Sequence, residues 1–149
     1  MKNTMRLLSL VIMALLLLSC NSLKTKSSNS EPSFSSEFVL ATYYLEKIGE
    51  EDVSEMQLEM HIDPEQKRIS GNAGCNRYGF TYSLKEEVLD LGYAMATKMY
   101  CEETMSIEDS FFRHMTKSDR FIVDKNKISF TNEENEVLVT AISKVEENE

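Results

Sequence analysis

Glu55-Met56-Gln57-Leu58-Glu59-Met60-His61-Ile62 alternates polar and apolar side chains without a break. A period of two puts successive side chains on opposite faces of an extended chain, so this stretch predicts a strand with one buried and one wet face. Asp63-Pro64-Glu65-Gln66 follows with turn chemistry, and Arg68-Ile69-Ser70-Gly71 begins a second strand. Further on, Phe80, Tyr82 and Leu84 alternate, and Val88-Leu89-Asp90-Leu91 is a short partner beyond the turn at 85–87. Phe121-Ile122-Val123 and Ile128-Ser129-Phe130 flank a hairpin turn at Asp124–Lys127, and Val137 to Ile142 forms a last strand. On the N-terminal side, Phe38 to Ile48 opens the set.

One segment keeps a different period. Ile107, Phe111 and Met115 recur every four residues with Phe112 beside them, the apolar stripe of a helix over 106–117. Ser106, with Asp109 three residues later, predicts the start of that helix as a weak form of the capping box. Several strands and one helix predict an α+β domain, mostly antiparallel β, built as a cracked or partly open β-barrel with one helix.

The N-terminus reads as an address. Lys2 and Arg6 precede a 12-residue uncharged stretch, Leu7 to Leu18, the length of a signal-peptide core and too short to span a bilayer as a helix. It ends in Leu17-Leu18-Ser19-Cys20, which resembles the lipobox of bacterial lipoproteins. The expectation is a signal peptide at 1–19, with the Cys20 thiol receiving diacylglycerol and Cys20, lipidated with fatty acid such as palmitate, becoming the first residue of the mature protein. Seven of the 16 residues from Asn21 to Ser36 are Ser, a composition that cannot bury enough apolar area to fold, so 20–36 is expected to be a flexible tether. The folded domain is expected over 37–145, with an acidic tail at 146–149.

Charge narrows the partners. The chain holds 16 Lys and Arg against 25 Asp and Glu. With Lys2 and Arg6 lost in the leader, 14 basic residues face the same 25 acids, a formal charge of about −11. That sign repels nucleic acid and anionic lipid surfaces, which leaves the lipid on Cys20 as the attachment to the membrane. Acidic pairs such as Glu50-Glu51, Glu86-Glu87, Glu102-Glu103 and Glu133-Glu134 read as solvated loops.

Gly71-Asn72-Ala73-Gly74-Cys75-Asn76-Arg77-Tyr78 is the densest segment, with Gly71 and Gly74 at places where a strand bends or another backbone comes close. Thr97-Lys98-Met99-Tyr100-Cys101 follows, then Glu108, Phe111 and Met115 at helical spacing. In this order the segments resemble the META/HslJ family, whose pattern runs G-x-A-G-C-N-R-[FY], T-x-M-x-C and E-x-x-F-x-x-x-L. The resemblance covers about 38–145 and takes in the closing Val137-Leu138-Val139. The family's opening W-x-L-x-x-I pattern is carried by Tyr43, Leu45 and Ile48 with Tyr in place of Trp, Gly79 comes one position early, and Tyr100 replaces a small residue. The resemblance implies a cracked barrel with a helix, a small envelope lipoprotein, and heat-shock or antibiotic-tolerance phenotypes, and it brings no enzymatic activity. By a similar resemblance to lipoprotein sorting, Asn21 directs the protein to the outer membrane, with the domain facing the periplasm.

Once Cys20 is lipidated, Cys75 and Cys101 are an even pair in an oxidising compartment. They are expected to form a disulfide joining the Gly-rich strand to the segment before the helix, the alternative being two buried free thiols. Asn76 and Arg77 are expected to hold the Gly-rich corner by hydrogen bonds, with a binding role as the alternative. No C-x-x-C occurs and His61 and His114 lie far apart, so no metal and no cofactor are expected. A resolving cysteine beside Cys75 and a G-x-S-x-G motif are both missing, and the expectation is a protein that is not an enzyme. Two roles follow: an interaction or stress-tolerance factor that meets other envelope proteins, or a lipocalin-like carrier of a small apolar ligand. In the second, Met56, Met60, Phe80, Tyr82, Phe111 and Met115 would line the interior, although a filled core is the commoner use of such residues.

Overall fold

The strands pair as the alternation predicts, and the computed structural model describes them over residues 38–144. The expected leader at 1–19, Cys20, the expected tether and the acidic residues 146–149 lie outside the described residues. In chain order the elements are β1 (Ala41–Ile48), β2 (Glu51–Asp52), β3 (Glu59–Asp63), β4 (Arg68–Asn72), β5 (Arg77–Lys85), β6 (Val88–Leu91), β7 (Met95–Ala96), helix α1 (Met105–Met115), β8 (Arg120–Asp124), β9 (Lys127–Thr131) and β10 (Val137–Ser143). Every pairing is antiparallel, in the order β6-β5-β4-β3-β1-β10-β9-β8, with β2 added to β1 and β7 to β5. The path curls until its two ends, β6 and the entry to β8, are tied by one backbone hydrogen bond, from Leu89 N to the Asp119 carbonyl at 2.6 Å. The result is the expected mostly antiparallel barrel, nearly closed, with one unsealed seam and one α-helix among the described residues.

Phe38 fills the seam from inside. Its ring stacks on Phe121 of β8 at 3.8 Å and meets Tyr82 of β5 edge-on at 4.8 Å, so one side chain joins the two flanks that the backbone leaves unpaired. The core proper is Leu45, Ile48, Met60, Ile62, Ile69, Phe80, Ile128, Phe130 and Val139, closed by Phe111 and Met115 of the helix. In β1 the buried residues are Tyr43, Leu45 and Ile48, a spacing of two and then three. The extra residue is a β-bulge, where the register against β10 shifts between Leu45 and Lys47. Tyr43 stands where the resembled pattern has Trp and is itself buried, and that burial raises its phenol pKa.

Three sequence expectations need correction. The alternating run does not form one strand over 55–62: Ser54–Met56 is a short 3-10 turn and the strand starts at Glu59. Gln57 adopts a left-handed backbone (φ 52°), which breaks the alternation and leaves Met56 38% exposed, while Leu58 and Met60 still point inward. The helix begins at Met105 with Thr104 at its N-cap, so Ser106 does not cap it. A turn leads in instead, with Thr104 N and Met105 N both donating to the Cys101 carbonyl. At the other end the helix stops at Met115, where Thr116 Oγ1 donates to the Phe112 carbonyl at 2.8 Å. Finally, Phe38 precedes the first strand, which starts at Ala41.

Phe111 is fully buried, with Tyr78 at 4.7 Å and Phe80 at 6.4 Å between ring centroids. Phe111→Ala is expected to cost about 3–5 kcal/mol in equilibrium denaturation, since the barrel wall cannot collapse into the space left.

Candidate functional site

The Gly-rich corner is built from strand register outward. Gly71 sits between Met60 of β3 and Tyr78 of β5. Any Cβ at Gly71 would overlap the Glu59 carbonyl oxygen and crowd the Tyr78 hydroxyl. Because that position is bare, Tyr78 reaches across β4 and donates from its hydroxyl to the Glu59 carbonyl at 3.3 Å. Burial pushes the Tyr78 phenol far above its ordinary pKa, so it stays a neutral donor. Gly74 turns the chain with φ at +131°, a conformation open to glycine, and its amide is held by Asn72 Oδ1 at 2.8 Å.

That turn delivers Cys75 and Asn76 to the start of β5. Cys75 is bonded to Cys101, with 5.8 Å between their Cα atoms and 26 residues between them in sequence. Asn76 is 2% exposed and every polar atom of its amide is occupied. Its Nδ2 donates to Glu108 Oε1 (2.8 Å) and to the Met99 carbonyl (3.1 Å). Its Oδ1 accepts from Thr97 Oγ1 (2.7 Å) and Met99 N (2.8 Å), while its backbone N–H donates to Glu108 Oε2 (2.7 Å). Glu108, buried at 5% exposure, therefore has both carboxylate oxygens on one residue of another element.

This cluster brings together most of the residues singled out from sequence, and it adds Glu108, Thr97 and Met99 as the partners of Asn76. Glu108 carried a legible signal: it lies three residues before Phe111 and seven before Met115, a carboxylate on the inward side of an apolar stripe. Arg77 departs from expectation. Its backbone N–H donates to Thr97 Oγ1 at 3.2 Å, but its side chain is exposed on the outer face of the sheet. Among the described residues no group of three His, Cys, Asp or Glu side chains comes together as a metal would require. His114 Nδ1 lies 2.8 Å from the Ser110 carbonyl one helical turn back, and His61 Nδ1 lies 3.2 Å from Thr42 Oγ1.

From Tyr93 to Tyr100 every residue is exposed, although the segment is firmly held. Gly92 N donates to the Thr81 carbonyl, β7 pairs with Tyr78 and Gly79, Thr97 N donates to the Arg77 carbonyl, and Asn76 and the disulfide fix the far end. Of the six residues considered as a pocket lining, Met60, Phe80, Tyr82, Phe111 and Met115 are packed in the core, and Met56 is on the surface.

A family model described as META domain matches residues 36–144. Two solved structures are similar. One, an NMR structure of a protein from Burkholderia xenovorans, is 23% identical with a TM-score of 0.56, over 71% of this chain and 83% of that one. The other, also an NMR structure, is 20% identical with a TM-score of 0.53, over 69% of this chain and 89% of that one. At these identities the likeness is one of fold. No curated protein matches the chain significantly.

Asn76→Ala would remove the side-chain donor to Glu108 Oε1 and the contacts to Thr97 and Met99, leaving the buried carboxylate with the backbone N–H of residue 76. The expected loss is about 3 kcal/mol in denaturant unfolding, with faster amide exchange over 97–101 as the local signature. Thiol alkylation of the unreduced protein should label neither Cys75 nor Cys101, and removing the pair with Ala should cost about 3–4 kcal/mol for a closed loop of this length.

Proposed function

The chain belongs to the META domain family, and from that we propose a lipid-anchored envelope protein that acts by binding another protein and performs no catalysis. One observation carries the reading. Tyr93 (97% exposed), Met95 (61%), Met99 (56%) and Tyr100 (81%) stand on a segment that the fold has already ordered. Tyr and Met are enriched at protein interfaces, where a large apolar body is covered by a partner. Because the segment is pinned by hydrogen bonds and a disulfide, binding through it incurs little further ordering entropy. The family motif itself is occupied in holding that segment, so its Asn, Glu and Cys have no free valence for chemistry.

The anchor is inferred from Leu17-Leu18-Ser19-Cys20, and Asn21 supports outer-membrane sorting with the domain facing the periplasm. In that place a binding protein suits a role in envelope stress tolerance. Carriage of an apolar ligand inside the barrel has less support, since the side chains that would line the space pack against one another.

A photo-crosslinking residue at position 93 or 100 is expected to give discrete adducts in intact cells, and one at Lys125 in the β8–β9 turn none. Equal labelling at all three positions, or none at the first two, would remove the reading. Cys20→Ser is expected to leave an uncut precursor that lacks incorporated fatty acid. Maturation of that variant with lipid attached would refute the anchor.

A further inference from the structure

The outer face of β3, β4 and β5 carries side chains that take no part in the buried corner, Arg77 of the motif among them. Across the strands, Thr42, His61, Ser70 and Gly79 stand in one row, and its last member has no side chain. Arg68 and Arg77 lie to either side of this gap, in an open groove of about 730 Å³ that Glu59, Asp63 and Thr97 also line. That volume suits a small molecule.

Arg68 is directly opposite Asp63 in the β3–β4 pairing, a placement that favours an ion pair. The pair does not form. Asp63 Oδ1 accepts from Gln66 N at 2.9 Å and closes the turn, while the Arg68 guanidinium lies over Gly79. A Cβ at Gly79 would sit 2.8 Å from one terminal nitrogen of Arg68. Arg77 is two residues from Gly79 on the same face of β5. Neither arginine forms an ion pair among the described residues, although acids outnumber bases 25 to 16 in this chain. Two arginines thus line one groove on the outer face of an acidic molecule, neither ion-paired among the described residues, with the Arg68 guanidinium lying over Gly79.

We propose that this groove binds a phosphate monoester carried on a hydroxylated, sugar-like body, with Arg68 and Arg77 on the phosphate. The planar guanidinium fork matches phosphate oxygens, and two forks match one doubly charged group. The Ser70 hydroxyl and the Glu59 carboxylate are placed to hydrogen-bond the hydroxyls of the body. Glu59 and Asp63, bracketing the groove, repel an extended polyanion, so a single phosphate is admitted and a nucleic-acid strand is not. The phosphorylated sugar is either a free metabolite or the headgroup of a glycolipid.

The test is NMR titration of ¹⁵N-labelled protein, purified from envelopes in nonionic detergent micelles, with glucose 1-phosphate. Saturating amide shifts are expected at Ser70, Gly79 and Thr97, with weaker shifts at the same residues for inorganic phosphate and none for glucose. Arg68→Gln and Arg77→Gln should each weaken binding about tenfold, the loss of one charge-assisted contact. Gly79→Ala keeps both charges but displaces the Arg68 guanidinium, so it should also weaken binding while the melting temperature is held. Lipid A mixed into the micelles distinguishes the sources: shifts at these residues with lipid A alone assign a lipid headgroup, and shifts with glucose 1-phosphate assign a free ligand. Absence of saturating shifts with both, or wild-type affinity in either Gln variant, would overturn the proposal.

Discussion

Asn76 connects three pieces of chain that sequence separation would otherwise keep apart. Its amide and backbone N–H reach the strand-like segment at Thr97 and Met99 and the helix at Glu108, while Cys75 beside it is bonded to Cys101. A buried carboxylate is tolerable only when its charge is met by well-aligned donors. Here the donors come from one residue of another element. Helix position, the course of 97–101 and the corner between β4 and β5 therefore stand or fall together. Gly71 and Gly74 serve the same corner: one makes room for Tyr78, the other turns the chain so that Cys75 and Asn76 face inward.

The barrel around this corner follows from local rules with few exceptions. The W-x-L-x-x-I type of spacing at Tyr43, Leu45 and Ile48 is the trace of a β-bulge, in which one extra residue keeps Ile48 on the core side. At the seam, where only one backbone hydrogen bond closes the gap, Phe38 substitutes aromatic packing for strand pairing. Arg77 apart, the motif's Cys75 and Asn76 face inward and are satisfied, which leaves the groups open to other molecules on the outside. There the Tyr93–Tyr100 segment and the arginine groove adjoin, because Met95 of β7 pairs with Gly79 on the groove floor.

Strands were legible wherever alternation was bounded by turn residues, as at Val88–Leu91 and in the β8–β9 hairpin. Alternation misled at Met56, since a 3-10 turn ending in a left-handed residue presents the same binary pattern as a strand start. The helix was legible from its stripe, but its cap was not: Ser106 fits a capping box, yet the turn from Cys101 set the N-cap two residues earlier, at Thr104. Cys75, Asn76 and the two glycines stood out by density. Glu108 was visible only as an inward carboxylate, with no way to name its partner 32 residues away.

The sequence by itself determined the strand order of polar and apolar faces, the single helical stripe, the family pattern and the acidic charge, all properties carried by neighbours along the chain. Only the tertiary structure decided which groups meet across it. It bonded Asn76 to Glu108, left the Arg77 side chain outside, and laid Arg68 over Gly79 in place of Asp63. Such outcomes depend on register between strands and on which carboxylate a nearby turn has already claimed. Periodicity fixes the face on which a side chain stands, but hydrogen-bond partners are settled by competition among atoms that only folding brings together.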